Sequence, residues 1–202
     1  MILLLSTSAF AKVEILPFKK NSWDQSWNEY VKESIEKDSH SVMLTSLDES
    51  DLSELGCPGF NSADSDSKID FWIVFFSALT RSESAFNVKV KSIAPKGRHG
   101  NYGLLQLSKR TARDQCGIAN PEDITEPKTH LSCGVKLMSW QLNGAPVKNN
   151  GKLLRPDLKN QLFGKKILLW GPLRQNDARG RNLLVGWFKK HLDQMPFCKM
   201  NS

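Results

Sequence analysis

The sequence predicts an α+β fold, mostly α: a helical domain with a small β-flap and a helical extension at its N-terminus. Three observations carry this expectation. The six apolar residues Phe71-Trp-Ile-Val-Phe-Phe76 continue through Ser77, Ala78 and Leu79 with neither Gly nor Pro before Pro95. An apolar run of that length without a breaker reads as a helix buried all round rather than as a strand. Residues 87–107 join a Val-Lys-Val-Lys alternation to Pro95, Gly97, Gly100 and Gly103, which is the punctuation of a hairpin or flap. Leu131, Val135, Met138 and Leu142 recur at helical spacing and share one face.

Taken in chain order, residues 1–11 are apolar and then small, ending in Ala9-Phe-Ala11. They read as a secretory signal whose start lies upstream, and they are too short to span a membrane. A buried N-terminal strand is the alternative. Residues 12–66 read as an extension with one amphipathic helix over 23–37, on which Trp23, Trp27, Tyr30 and Val31 cover one face. The main domain is expected over 67–202. Its first helix opens on a capping box, Ser67 with Asp70 in the acidic position, and closes near Glu83. Further helices are expected around 108–116 and 129–142. A third helical region spans 158–192 and breaks at Gly171-Pro172.

A chain of 202 residues with 40% apolar content, six Trp and ten Phe has enough material for a packed core. The net charge of +7 favours polyanions. The basic residues are scattered, and no nucleic-acid motif accompanies them. The four cysteines, Cys57, Cys116, Cys133 and Cys198, contain no CxxC pair, so thioredoxin-type chemistry and zinc ribbons are not expected. An even count behind an export signal suggests two disulfides. Of the three possible pairings we favour Cys116–Cys133, which closes a local loop, with Cys57–Cys198 tying the chain end to the body. Free buried thiols are the alternative.

Glu83 is the candidate for chemistry. It ends the most apolar helix, where a carboxyl held against Phe and Trp loses hydration and keeps its proton near neutral pH. A general acid that donates to a glycosidic oxygen needs that property. A surface glutamate at a helix end is the plain alternative. The residues that follow are Glu83-Ser84-Ala85-Phe86-Asn87, Ser92, Gly100-Asn-Tyr-Gly103-Leu104-Leu105-Gln106-Leu107 and Thr111-Ala112. In this order they resemble the catalytic domain of the lytic transglycosylase (SLT) family, which is lysozyme-like and related to goose-type lysozyme. Asp123, Pro127, Leu131, Gly134 and Leu137 extend the likeness, with His130 where Asn is usual. The resemblance covers roughly residues 70–172. The chain departs from the family in a longer, basic loop between Ser92 and Gly100 bearing Lys96, Arg98 and His99. It also lacks a clean Tyr-Asn-Ala-Gly counterpart, and Leu168-Leu169-Trp170-Gly171-Pro172 occupies that region.

The resemblance implies cleavage of peptidoglycan glycan strands between MurNAc and GlcNAc by one glutamate, giving 1,6-anhydro-MurNAc ends. It implies substrate-binding roles for Ser92 (on the acetamido group), Tyr102 (on a sugar face), Gly103, Leu104 and Gln106, with Trp170 as an aromatic wall. The flap carries Lys89, Lys91, Lys96, Arg98 and His99, and no Asp or Glu lies between Glu83 and Gln106. That favours a one-carboxylate mechanism over the usual pair. A hydrolytic lysozyme recruiting Asp114 or Asp66 is one alternative. A non-catalytic cell-wall-binding protein is another. The expected partner is the glycan strand, with no nucleic acid, no transmembrane segment, no metal and no cofactor. The expected state is an exported monomer, periplasmic or secreted.

Overall fold

The computed structural model describes residues 13–19, 21–92, 100–144, 158–165 and 169–199. The expected signal segment 1–11 and the basic loop residues Lys96, Arg98 and His99 lie outside them. Six α-helices appear among the described residues: α1 (Trp27–Ile35), α2 (Glu49–Leu55), α3 (Ser65–Ser84), α4 (Lys109–Cys116), α5 (Pro127–Leu142) and α6 (Ala178–Lys189). One antiparallel pair, β1 (Asn101–Tyr102) with β2 (Leu107–Ser108), makes the flap. No described helix is long and apolar enough to cross a membrane.

Helix α3 is the axis of the molecule. Every residue from Phe71 to Leu79 is buried. The rings of Phe71, Trp72, Phe75 and Phe76 pack against one another and against Phe60 and Phe188, edge-on or tilted except for the stacked pair Phe71–Phe75. Full burial of each such side chain contributes roughly 1.5–3 kcal/mol, which is why this helix needs no amphipathic face. Its start differs from the expected capping box. Asp64 is the N-cap, its carboxylate accepting from the Ser67 amide at 2.7 Å. A carboxylate is the stronger acceptor at the positive end of a helix, so the helix begins earlier and Ser67 lies inside its first turn. Asp70 then sits half-buried, and burial, with Asp66 nearby, pushes its carboxyl up to about 6.

Residues 13–62 join the same core. The amphipathic helix is shorter than expected: Trp23 precedes α1 and donates its indole N–H to Asn28 at 2.7 Å. Trp27 and Val31 are buried, and Tyr30 is partly so. Helix α5 starts before its expected first residue because Glu126 caps it, accepting from the Lys128 and Thr129 amides at 3.0 and 2.6 Å, with Pro127 at the first position.

The third helical region is mostly not helix. Of its described residues, α6 is the only α-helix, preceded by a short 3-10 turn at Gly171–Leu173. The reason lies far off in the chain. The buried Asp51 carboxylate of α2 takes the amides of Leu162 and Phe163 at 2.6 and 3.3 Å, so these donors are satisfied without a helix. Both disulfides are formed, Cys57–Cys198 and Cys116–Cys133.

Candidate active site

Glu83 occupies the last turn of α3. The helix stops because Ala85 (φ 50°) and Phe86 (φ 63°) both turn left-handed. Neither is Gly, so each costs of order 1 kcal/mol. Phe86 is held there by packing against Phe18, Trp23 and Trp187, at ring-centroid distances of 6.0, 6.4 and 5.7 Å. Helix α6 runs antiparallel to α3. Trp187 donates its indole N–H to the Ser77 hydroxyl at 3.3 Å, and Arg81 reaches the Leu183 carbonyl at 3.5 Å. Continuing that register brings the first turn of α6 beside Glu83.

Burial is the largest influence on the Glu83 carboxyl, and the negative charge of Asp177 adds to it. Arg174 opposes them, and the group ends at about 7 instead of 4.5. The negative end of the α3 dipole works in the same direction as burial. Glu83 is therefore a carboxylic acid that still carries its proton near neutrality, with Asp177 and Arg174 as its charged neighbours among the described residues.

From Glu83 the chain enters the flap at once. The Val90 carbonyl accepts from the Gly103 amide at 2.9 Å, Ser92 N–H donates to Asn101 at 2.9 Å, and Lys91 bridges Tyr102. The turn between β1 and β2 needs two left-handed residues, Gly103 (φ 67°) and Gln106 (φ 49°). The Gln106 side-chain amide donates to the Gly103 carbonyl at 3.0 Å and stabilises that turn.

The residues expected to bind substrate lie in and around this turn. Trp170 is 2% exposed and donates its indole N–H to the Leu105 carbonyl at 2.9 Å. It buttresses the turn from inside, with its N–H on a carbonyl of the turn. Leu104, at 1% exposed, is core. Gly103 packs flat on the His130 ring, where an added Cβ would come within 2.6 Å. The Ser92 hydroxyl accepts from the Asn101 amide at 2.9 Å, closing the strand end. Tyr102 remains half-exposed with the ammonium groups of Lys91 and Lys109 each 5.2 Å from its ring centre. The acids considered for a hydrolytic site are not beside Glu83. Asp66 lies in the first turn of α3, about 25 Å along the axis at the usual helical rise. Asp114 is on the surface, paired with Arg113 at 2.8 Å and Arg110 at 3.4 Å.

Two residues that matter here are not evident from the motif. One is Asp177. Its signal is the Asp-x-x-Gly180 spacing of an N-cap, which says nothing about its distance to Glu83. The other is His130, only 1% exposed. Its Nδ1 pairs with the Ile124 carbonyl at 2.5 Å and must donate; its Nε2 accepts from the Leu105 amide at 3.2 Å. The ring is thus fixed as one neutral tautomer, and burial pushes its pKa down to about 4. The sign of the linkage follows. The folded value is below the ordinary 6.5, so this contribution to stability is complete above about 6.5 and is lost as pH falls through about 4. We expect His130→Ala to cost about 2–4 kcal/mol, from a cavity and an orphaned Leu105 amide. His130→Asn, which keeps a polar partner, should cost less. Urea denaturation of both variants at pH 7 checks this; equal losses would show that the imidazole acts by volume alone.

A domain of mostly helices with a two-stranded flap, and a protonated glutamate where the longest helix meets that flap, defines the lysozyme-like class. Residues 62–152 match the family model described as Transglycosylase SLT domain. The match spans α3, the flap, α4 and α5, the stretch over which the order of motifs runs. Among solved structures it is similar to Bd0314 DslA, wild-type form 2, with a TM-score of 0.66 and 20% identity over 94% of this chain and 100% of that one. Two glutamate-to-glutamine mutants of Bd0314 DslA also match at 20% identity, covering 87% of this chain and 92% of theirs, with TM-scores of 0.65 and 0.63. These likenesses show the fold. No curated protein sequence matches the chain.

Proposed function

We propose that this chain cuts peptidoglycan glycan strands between MurNAc and GlcNAc, with Glu83 as the single acid and base, leaving 1,6-anhydro-MurNAc ends. The observation that carries the reading is the half-buried Glu83 carboxyl, poised at about 7 at the junction of α3 and the flap. Protonated Glu83 gives its proton to the oxygen between the sugars as that bond breaks. The MurNAc acetamido oxygen bonds to the anomeric carbon and carries the developing charge. The Glu83 carboxylate then removes the proton of the MurNAc C6 hydroxyl, whose oxygen displaces the acetamido oxygen and closes the anhydro ring. Glu83 ends protonated, and no water is consumed.

In this reading Tyr102 and Ser92 meet the sugars at the flap. Gly103, Leu104, Gln106 and Trp170 hold the flap turn in shape. Residues 67–202 form the catalytic unit and residues 12–66 an extension packed on it. The two disulfides fit an exported protein, acting as a monomer in the periplasm or outside the cell. A hydrolytic outcome is the second reading, favoured by one observation: a carboxylate, Asp177, acts on Glu83. Mass spectrometry of muropeptides released by the wild type decides between the two. The transglycosylase product is one water lighter than the hydrolytic one. Release of neither product by the wild type would overturn both readings.

A further inference from the structure

Asp177 sits where the N-terminus of α6 meets the C-terminal end of α3. Its place is fixed by several contacts. One carboxylate oxygen accepts from the Gly180 amide at 2.9 Å, capping α6. The other lies so close to the backbone of two glycines that an added Cβ would come within 2.7 Å at Gly171 and 2.5 Å at Gly180. Side chains at either position would push the carboxylate away. Its own amide donates to the Arg174 carbonyl at 3.2 Å. The α3–α6 register set by Ser77 with Trp187 and Arg81 with Leu183 brings this capped helix start next to Glu83.

An uncapped helix start would present free amides and a positive dipole end to Glu83, and both stabilise a carboxylate. Asp177 occupies the Gly180 amide and sets a fixed negative charge at the helix start. We propose that Asp177 is a positioning residue of the active site, which keeps the start of α6 from ionising Glu83 and so holds the acid in its proton-bearing form. The inference rests on Glu83 being the acid. The like-charge influence of Asp177 on the Glu83 carboxyl has the direction this requires.

Among the described residues, the other charged groups on the elements around Glu83 are these. Arg174, from the turn before α6, opposes Asp177. On α6, Arg181 is tied to Glu54 of α2, and Arg179 is exposed. On α3 itself, Arg81 lies over the rings of Phe18 and Trp187 at 4.7 and 4.8 Å. On the flap side, Lys89 is exposed and Lys91 lies over Tyr102. In the N-terminal segment, Glu14 and Lys19 are exposed.

The test is Asp177→Asn in the full chain. Asn is as good an N-cap as Asp, so the variant removes the charge and keeps the helix start. The Glu83 side-chain carboxyl is titrated by carbon-13 NMR, and activity on purified peptidoglycan is followed against pH. The expected result is a downward shift of the Glu83 titration by roughly half a unit to one unit, with the alkaline limb of the activity profile moving down equally. Asp177→Ala, which also bares the amides, should shift it further. An unmoved Glu83 titration in a folded Asp177→Asn protein overturns the proposal. Full activity in Glu83→Gln would instead overturn the catalytic reading and leave the titration result standing, so the two failures are separable.

Discussion

Glu83→Gln is expected to lose at least about a hundredfold in turnover and, at the same time, to make the protein more stable at pH 8. The two effects have one origin. The folded carboxyl titrates at about 7 against 4.5 for a free glutamate. Its folded value is raised, so the favourable contribution is complete below about 4.5 and is lost as pH climbs through about 7. At pH 8 the wild type must hold a poorly hydrated carboxylate at the negative end of α3, at a cost of up to about 3 kcal/mol. Glutamine keeps the shape and never ionises. The difference in unfolding free energy between variant and wild type should be near zero at pH 4 and grow toward that figure at pH 8. Activity should follow the same ionisation in reverse, falling as pH rises through about 7, because the first step needs the proton. Urea denaturation at the two pH values measures the first effect. A difference that does not change with pH would mean that the carboxyl is ordinarily hydrated, and the case for it as an acid would weaken with it.

This coupling explains what was legible in the sequence and what was not. The apolar run from Phe71 to Leu79 dictated a buried helix, and it made the carboxyl in its last turn a candidate for poor hydration, beside the alternative of a surface glutamate. Those are local consequences of composition. Gly103 likewise marked a left-handed turn position, and Gly100 a close approach, where a Cβ would come within 2.8 Å of the Ser92 carbonyl. The parts that were not legible depend on contacts between distant segments. Nothing near residues 162 and 163 announces that Asp51, more than a hundred positions earlier, will take their amides and prevent a helix. Nothing near Trp170 announces that its indole will serve the Leu105 carbonyl, 65 positions earlier. The flap offers no second carboxylate between Glu83 and Gln106, and the sequence alternatives are Asp114 and Asp66. The acid that acts on Glu83 arrives from α6, through side-chain packing that no spacing rule encodes. Even the motif position filled by His130 becomes intelligible only when one ring nitrogen is seen to hold the flap turn at Leu105 and the other the Ile124 carbonyl.

The second large effect expected concerns the Cys57–Cys198 bridge. It closes a loop across 141 positions, whereas Cys116–Cys133 closes one across 17. On the chain-entropy account, losing the long link should cost about 5 kcal/mol and losing the short one about 3 kcal/mol. Both long-link cysteines are fully buried. They join the end of α2 to the 3-10 turn Pro196–Lys199 beyond α6, where Leu192 packs within 3.2 Å of the position a Cβ on Gly56 would take. The paired substitution Cys57→Ala and Cys198→Ala should therefore lower the urea midpoint more than Cys116→Ala with Cys133→Ala. Its consequences should also reach the site. Helix α6 carries Trp187 against α3 and the Asp177 cap beside Glu83, and its far end is what the long link pins to α2. Near the new melting temperature the Cys57/Cys198 pair should lose activity before the far-ultraviolet helix signal declines. The Cys116/Cys133 pair, which links α4 to α5, should lose the two together. If the short link proves to be the more costly one, unfolded-state entropy is not what these bridges restrain. The stability of α6 against α3 would then have to come from its aromatic packing alone.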